Sequence, residues 1–243
     1  MPKTSARPQQ GNPGQSILRA AAEEFAERGF AGARVDEIAR RAGVNKAMLY
    51  YHVGDKASLY EKVVLDGVAE VTVRLQEGLR KETTPEGKIV AIARAFEALG
   101  MAKPYMPRII LREMIAGGGD LPSPALAAFG RIIQLERVIL EEAASGGIFR
   151  PVNPVTLHIL VVGGTMLHLV TRGVRERIKK LTGPPIPEPH ARPAEAVASL
   201  LLEGLLVRPR RARAKDKEQT RGPRSLKGHS AKARKVLPKK EPI

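Results

Sequence analysis

From residue 13 to about residue 207 the apolar positions recur at three- and four-residue spacing, the period of one face of a helix. Runs of alternating β-branched residues joined by hairpin dipeptides are missing, so the pattern predicts an all-α chain. Its punctuation agrees. A capping residue precedes Pro at Asn12-Pro13, Thr84-Pro85, Ser123-Pro124 and Asn153-Pro154. A cap oxygen satisfies free amide donors, and Pro in the first turn loses no hydrogen bond, so each pair reads as a helix start. Gly29, Gly43, Gly117-Gly118-Gly119 and Gly146-Gly147 read as stops. About nine helices are expected, near 13–28, 35–42, 46–53, 55–80, 85–100, 105–116, 124–145, 154–180 and 193–206. The stretch PPIPEPHARP over 184–193 cannot continue a helix and reads as an extended connector.

One segment, VDEIARRAGVNKAMLYYHVG over 35–54, carries a more specific pattern. Val35, Ile38 and Ala42 share one face of a short helix, and Ala39 is small where a second helix must come close. Gly43 supplies a left-handed turn, Val44 plugs the corner, Asn45 caps the next helix, and Leu49 and Val53 give that helix its inward face. The reading is a helix-turn-helix. With Leu49 inward, 100° per residue turns Ala47 and Tyr51 outward, flanked by Met48 and Tyr50, with Lys46 and His52 near the edges. Such a face suits a DNA major groove: Ala47 or Met48 against a thymine methyl, a Tyr hydroxyl on a phosphate or base edge. It holds no Arg or Gln for bidentate base reading, which predicts modest specificity from this helix alone.

Residues 16–65 resemble the DNA-binding region of the tetracycline-repressor (TetR) family, through the AAxxxFAERGF helix end, the V-x-x-I-A-x-x-A-G-V turn, the L-Y-Y-H helix and the D-K-x-x-L-Y that follows. The resemblance implies that Asn45, Lys46, Ala47, Met48, Tyr50, Tyr51 and His52 lie at the DNA, that Lys56 contacts phosphate, and that Asp55 caps the fourth helix. Two positions depart from the family. Ala33 stands where a capping Thr is usual, weakening that helix end by about 1 kcal/mol, with Arg34 available for a phosphate contact instead. Val53 replaces the usual Phe as a smaller plug.

By the same resemblance, 66–207 forms a helical body that binds a small effector and makes a homodimer; it carries no catalytic signature, and neither an enzymatic activity nor a cofactor is expected. Phe96, Met101, Tyr105, Met106, Met114, Phe129, His158, Met166 and His168 are candidates for an adaptable apolar pocket, although for each the plain core reading outweighs it. Gly163 and Gly164, with the Val197, Leu200, Leu201 and Leu205 stripe, are candidates for a dimer interface. Paired recognition helices would read a pseudo-palindromic operator with half-sites roughly 34 Å apart.

Composition narrows the alternatives. With no Cys, disulfides and thiolate metal sites are excluded. His158 and His168, ten residues apart on one expected helix, cannot share a metal, and no metalloprotease, phosphate-loop or nucleophile-elbow pattern occurs. No apolar run is long enough to span a bilayer, and the N-terminal residues show no secretory h-region, so a cytoplasmic, nucleoid-associated protein is expected. The net charge of +16 is unevenly placed: residues 208–243 hold fourteen Lys and Arg against three acids, and 16–207 carry only about +3. The domains then read as an arm over 1–12, a DNA-binding head over 13–65, the body over 66–207 and a disordered basic tail over 208–243. That tail keeps open a second function, an architectural and largely non-specific nucleic-acid binder acting through counterion release.

Overall fold

A computed structural model describes residues 12–182 and 192–207. Residues 1–11 of the arm expected over 1–12, most of the connector and the tail over 208–243 lie outside the described residues, and the expectations made for them are not addressed by the fold. The described residues form helices α1 (Pro13–Gly32), α2 (Val35–Ala42), α3 (Lys46–Val53), α4 (Lys56–Lys81), α5 (Pro85–Ala102), α6 (Tyr105–Ala116), α7 (Ser123–Ser145), α8 (Pro154–His158), α9 (Gly164–Val170), α10 (Arg172–Thr182) and α11 (Pro193–Leu205), with a π-helical turn at Ile159–Gly163 between α8 and α9. The only pairing of extended backbone among them is a single antiparallel bridge, Phe149 with Leu206, which ties the loop after α7 to the end of α11.

Side-chain caps start the helices where their chemistry allows. The Asn12, Asn45, Asp55, Thr84 and Asn153 side chains each accept a backbone N–H of the following turn, from Gly14, Met48, Ser58, Gly87 and Val155 respectively. Ser123 departs from expectation. It lies inside the first turn of α7, Pro122 occupies the cap, and no side chain closes that end.

The second departure is the helix expected over 154–180. It is broken twice, at the π turn and again at Thr171, and the chain bends by 59° between Pro154–Val170 and Arg172–Thr182. Hydroxyls that turn back onto the preceding backbone accompany both breaks. The Thr165 hydroxyl donates to the Val161 carbonyl at 2.7 Å and that of Thr171 to the Leu167 carbonyl at 2.5 Å. Arg175 then donates to both the Thr171 hydroxyl and the His168 carbonyl, holding the second bend. His158 and His168 therefore sit on different helices.

α1 to α3 form a small head whose core is Ile17, Phe25, Ile38, Leu49 and Val53. α4 runs from this head into the body and packs on α5, and α11 also packs on α5. α6 returns to touch α1, where Arg112 donates to the Glu27 carbonyl at 3.1 Å. No single helix among the described residues is long and apolar enough to cross a membrane.

Candidate nucleic-acid interface and apolar cavity

The α2–α3 corner is fixed from both ends. Gly43 takes a left-handed φ of 69°, a conformation that costs a side-chain-bearing residue free energy. Its N–H and that of Val44 return to the last carbonyls of α2. Asn45 then caps α3 through the Met48 N–H at 2.7 Å. The missing side-chain cap of α2 is offset from elsewhere: the buried carboxylate of Glu24 on α1 accepts the Arg34 N–H at 3.3 Å.

Glu24 also belongs to an ionic clamp between α1 and α2. Arg41 reaches Glu24 at 3.1 Å, Glu27 at 2.7 Å and Glu37 at 3.0 Å. Hydrogen bonds from Arg40 and Arg41 lower the Glu37 carboxyl to about 2, and Arg41 likewise holds Glu27 below the usual carboxylate range. A charge-assisted network of this kind sets the angle of α2 against α1.

With the frame set, α3 divides cleanly. Leu49 and Val53 are buried, Leu49 at 1% exposure, whereas Tyr51 stands 87% exposed and Met48 and Tyr50 are each 42% exposed. Ala47 and His52 are exposed on the same helix, and the His52 ring lies edge-on to Tyr51 at 5.5 Å between centroids. The expected cations are held rather than loose. Lys46 pairs with Asp36 at 2.8 Å, a bond that raises the lysine and lowers the carboxylate. Lys56 donates to the Ala31 carbonyl at 3.1 Å while lying 5.0 Å above the Phe30 ring. Arg34 is exposed at the start of α2. The residues singled out in the sequence thus lie in or beside one helix-turn-helix, and an apolar, aromatic surface faces outward between two anchored lysines.

A separate cavity of about 360 Å³ lies in the body among α4 to α9. Of the pocket candidates, Phe96, Met106, Met114, Phe129, His158 and Met166 line it. Met101 is exposed at the end of α5, Tyr105 lines a different, polar groove against α1, and His168 lies outside the lining. Burial, with the Arg175 charge, pushes His168 below its usual range. Further lining comes from Gly67, Val68, Leu99, Ile159, Val162 and Gly163, which periodicity alone does not separate from core.

A more telling omission is Glu136. It is fully buried, and both its oxygens lie 3.1–3.2 Å from Nδ1 of His158. The signal for it was present in the sequence: an acid falls among Ile132, Ile139, Leu140 and Ala143 on the buried face of α7.

Of the dimer candidates, Val197 packs in the same protomer beside Gly164, where an added Cβ would lie 3.2 Å from its Cγ1. Leu205 is buried and Leu201 half-buried, whereas Leu200 is 74% exposed. Gly163 borders the cavity and has open space where a Cβ would stand. Leu160, Leu167, Val174 and Leu181, seven residues apart in sequence, are all exposed. Among the described residues no group of three His, Asp or Glu side chains is placed to hold a metal.

Comparison with known proteins agrees with this geometry. Residues 17–63 match the family model described as bacterial regulatory proteins, tetR family. The chain is 26% identical over 151 residues to the HTH-type transcriptional regulator RutR of Escherichia coli K12, covering 62% of this chain and 71% of that protein. It is 46% identical over 61 residues to the HTH-type transcriptional repressor SCO4008 of Streptomyces coelicolor, covering 24% of this chain and 32% of that protein. Among solved structures, a TetR-like transcriptional regulator from Rhodococcus sp. RHA1 superposes with a TM-score of 0.61 at 19% identity, over 82% of this chain and 98% of that one. With its helix-turn-helix head, all-helical body and these likenesses, the chain carries over residues 17–63 the DNA-binding region of the tetR family of bacterial regulatory proteins.

Proposed function

We propose that this DNA-binding transcriptional regulator is a repressor that grips a pseudo-palindromic operator as a homodimer and is released by a small apolar effector. The observation that carries the DNA-binding part is the two-faced α3. An exposed phenol at Tyr51 has no structural task in the head, and it stands opposite the buried Leu49 on a helix narrow enough for the major groove. Tyr51, Tyr50, Met48 and Ala47 are assigned to base edges and methyl groups. Asn45, Lys46, His52, Lys56 and Arg34 are assigned to the flanking phosphates. For Lys46 this requires exchange of its Asp36 partner for a phosphate.

Homodimerisation is inferred from the apolar surface around Leu160, Leu167, Val174, Leu181 and Leu200, which a monomer leaves in water. Of the other interface candidates, Gly164 and Val197 contribute by holding α11 against α9 inside each protomer. The cavity is assigned to the effector. A ligand that fits one spacing of the two heads better than the other shifts the population between bound and released forms. We assign the protein to the cytoplasm, at its operator on the chromosome.

Selection of bound sequences from a random duplex library tests the reading. Recovery of an inverted repeat with half-sites about one helical turn apart is the expected result. Binding of all sequences with equal affinity would favour the architectural alternative and reject the operator-specific one.

A further inference from the structure

The cavity has one polar side chain in an otherwise apolar wall, and the chemistry behind that side chain says what it offers. The lining is aliphatic, aromatic and thioether throughout, including Gly67, Phe96, Met106, Met114 and Met166, except for the imidazole of His158. No Lys or Arg lines it. His158 leans edge-on to Phe96, keeps 18% of its side-chain surface open, and turns Nδ1 to the fully buried carboxyl of Glu136. Nε2, at the far side of the ring from Nδ1, is therefore the atom left without a protein partner.

Charge balance decides what Nε2 presents. Two neutral arrangements use the Glu136–His158 bond fully: a carboxylate with an imidazolium, and a carboxylic acid donating to Nδ1 of a neutral ring. Both leave a hydrogen on Nε2. Nε2 becomes an acceptor only when a neutral ring donates from Nδ1–H, and each such arrangement is penalised: a carboxylate partner strands an uncompensated charge in an apolar wall, and a carboxylic acid partner leaves its own O–H buried without an acceptor. Resting on the assignment of this cavity to the effector, we propose that its ligand is an uncharged, largely apolar molecule whose one buried acceptor, a carbonyl-type oxygen, takes a hydrogen bond from Nε2–H of His158, with Glu136 fixing the tautomer from behind. A free carboxylate or phosphate group is disfavoured there, since no basic side chain compensates the pair. The π turn adds room: Ile159, Val162 and Gly163 all border the space, and insertions of this kind recur at ligand sites.

The test uses the full chain and three probes that share one ten-membered ring: cyclodecanone, cyclodecane and cyclodecanecarboxylate. Binding is read by calorimetry, with displacement for the hydrocarbon. The ketone binds, and the carboxylate binds most weakly. The double variant E136L/H158F replaces both polar partners at similar volume and so avoids a stranded buried acid. It weakens the ketone about tenfold, the size of one lost hydrogen bond, and leaves the hydrocarbon within about twofold. Glu136→Gln preserves ketone binding, because an amide N–H can donate to Nδ1 and keep the hydrogen on Nε2. Gly163→Val, whose side chain enters open space, weakens all three probes without lowering the melting temperature. Ketone affinity unchanged in E136L/H158F, or the carboxylate binding tightest, overturns the ligand class while leaving the cavity assignment intact. Failure of every probe to bind, or indifference of all binding to Gly163→Val, removes the cavity assignment itself.

Discussion

Tyr51 and Leu49 are two residues apart on an eight-residue helix, and their opposite burial makes their alanine variants diagnostic. Leu49 is 1% exposed, so Leu49→Ala leaves a cavity in the head and costs about 2–5 kcal/mol. For a marginally stable domain this melts the helix-turn-helix and abolishes operator-specific binding with it. Tyr51→Ala removes a ring that is 87% exposed and touches chiefly His52, so stability changes by less than about 0.5 kcal/mol. On operator DNA its cost is that of a lost base contact, about 1–3 kcal/mol per half-site and about twice that for a symmetric dimer. Because Tyr51 is uncharged, the slope of affinity against salt stays the same, and binding to random duplex falls far less. Fluorescence anisotropy on the selected operator and on a scrambled duplex, at three salt concentrations, measures each term. The melting temperature supplies the control. Unchanged operator affinity in Tyr51→Ala would show that α3 does not read DNA through this face. A fall in melting temperature matching that of Leu49→Ala would show that Tyr51 is structural.

Three further outcomes follow from other parts of the molecule. Glu37 is held at about 2 in the folded protein against an ordinary 4.5, so its contribution to stability is complete above about pH 4.5 and disappears as the pH falls toward 2; Glu37→Gln flattens that part of the acid-unfolding curve followed by circular dichroism, and an unaltered curve refutes the clamp. Gly164→Val brings a side chain onto Val197 at 3.2 Å and costs about 1–3 kcal/mol in urea unfolding, whereas Gly163→Val next to it stays near neutral; equal effects would show that α11 does not depend on the close approach at Gly164. Deleting 208–243 removes a net charge of about +11, which lowers affinity for all DNA and flattens its salt dependence while the operator-to-random ratio persists; loss of that ratio would move recognition into the tail.

The sequence by itself determined the helices of the head and most of those in the body. Their starts depend on local chemistry: Asn12, Asn45, Asp55, Thr84 and Asn153 bond to amides two or three residues ahead, a reach that needs no tertiary partner. The two faces of α3 were legible for the same reason, since the helical period alone sets Tyr51 against Leu49. Tertiary structure decided what depends on distant contacts. α2 lacks a local cap and takes its hydrogen bond from Glu24, ten residues upstream, so no reading of residues 33–36 could supply it. The helix expected over 154–180 breaks where Thr165, Thr171 and Arg175 turn onto the backbone, choices that propensity does not rank. Lining and core residues obey the same apolar pattern, and only the fold separated Met106 and Met166 from Met101. Glu136 shows the boundary most clearly. Its sequence position marked an acid on a buried face, but its partner lies 22 residues away on another helix, and a buried charge acquires its meaning from the group that neutralises it.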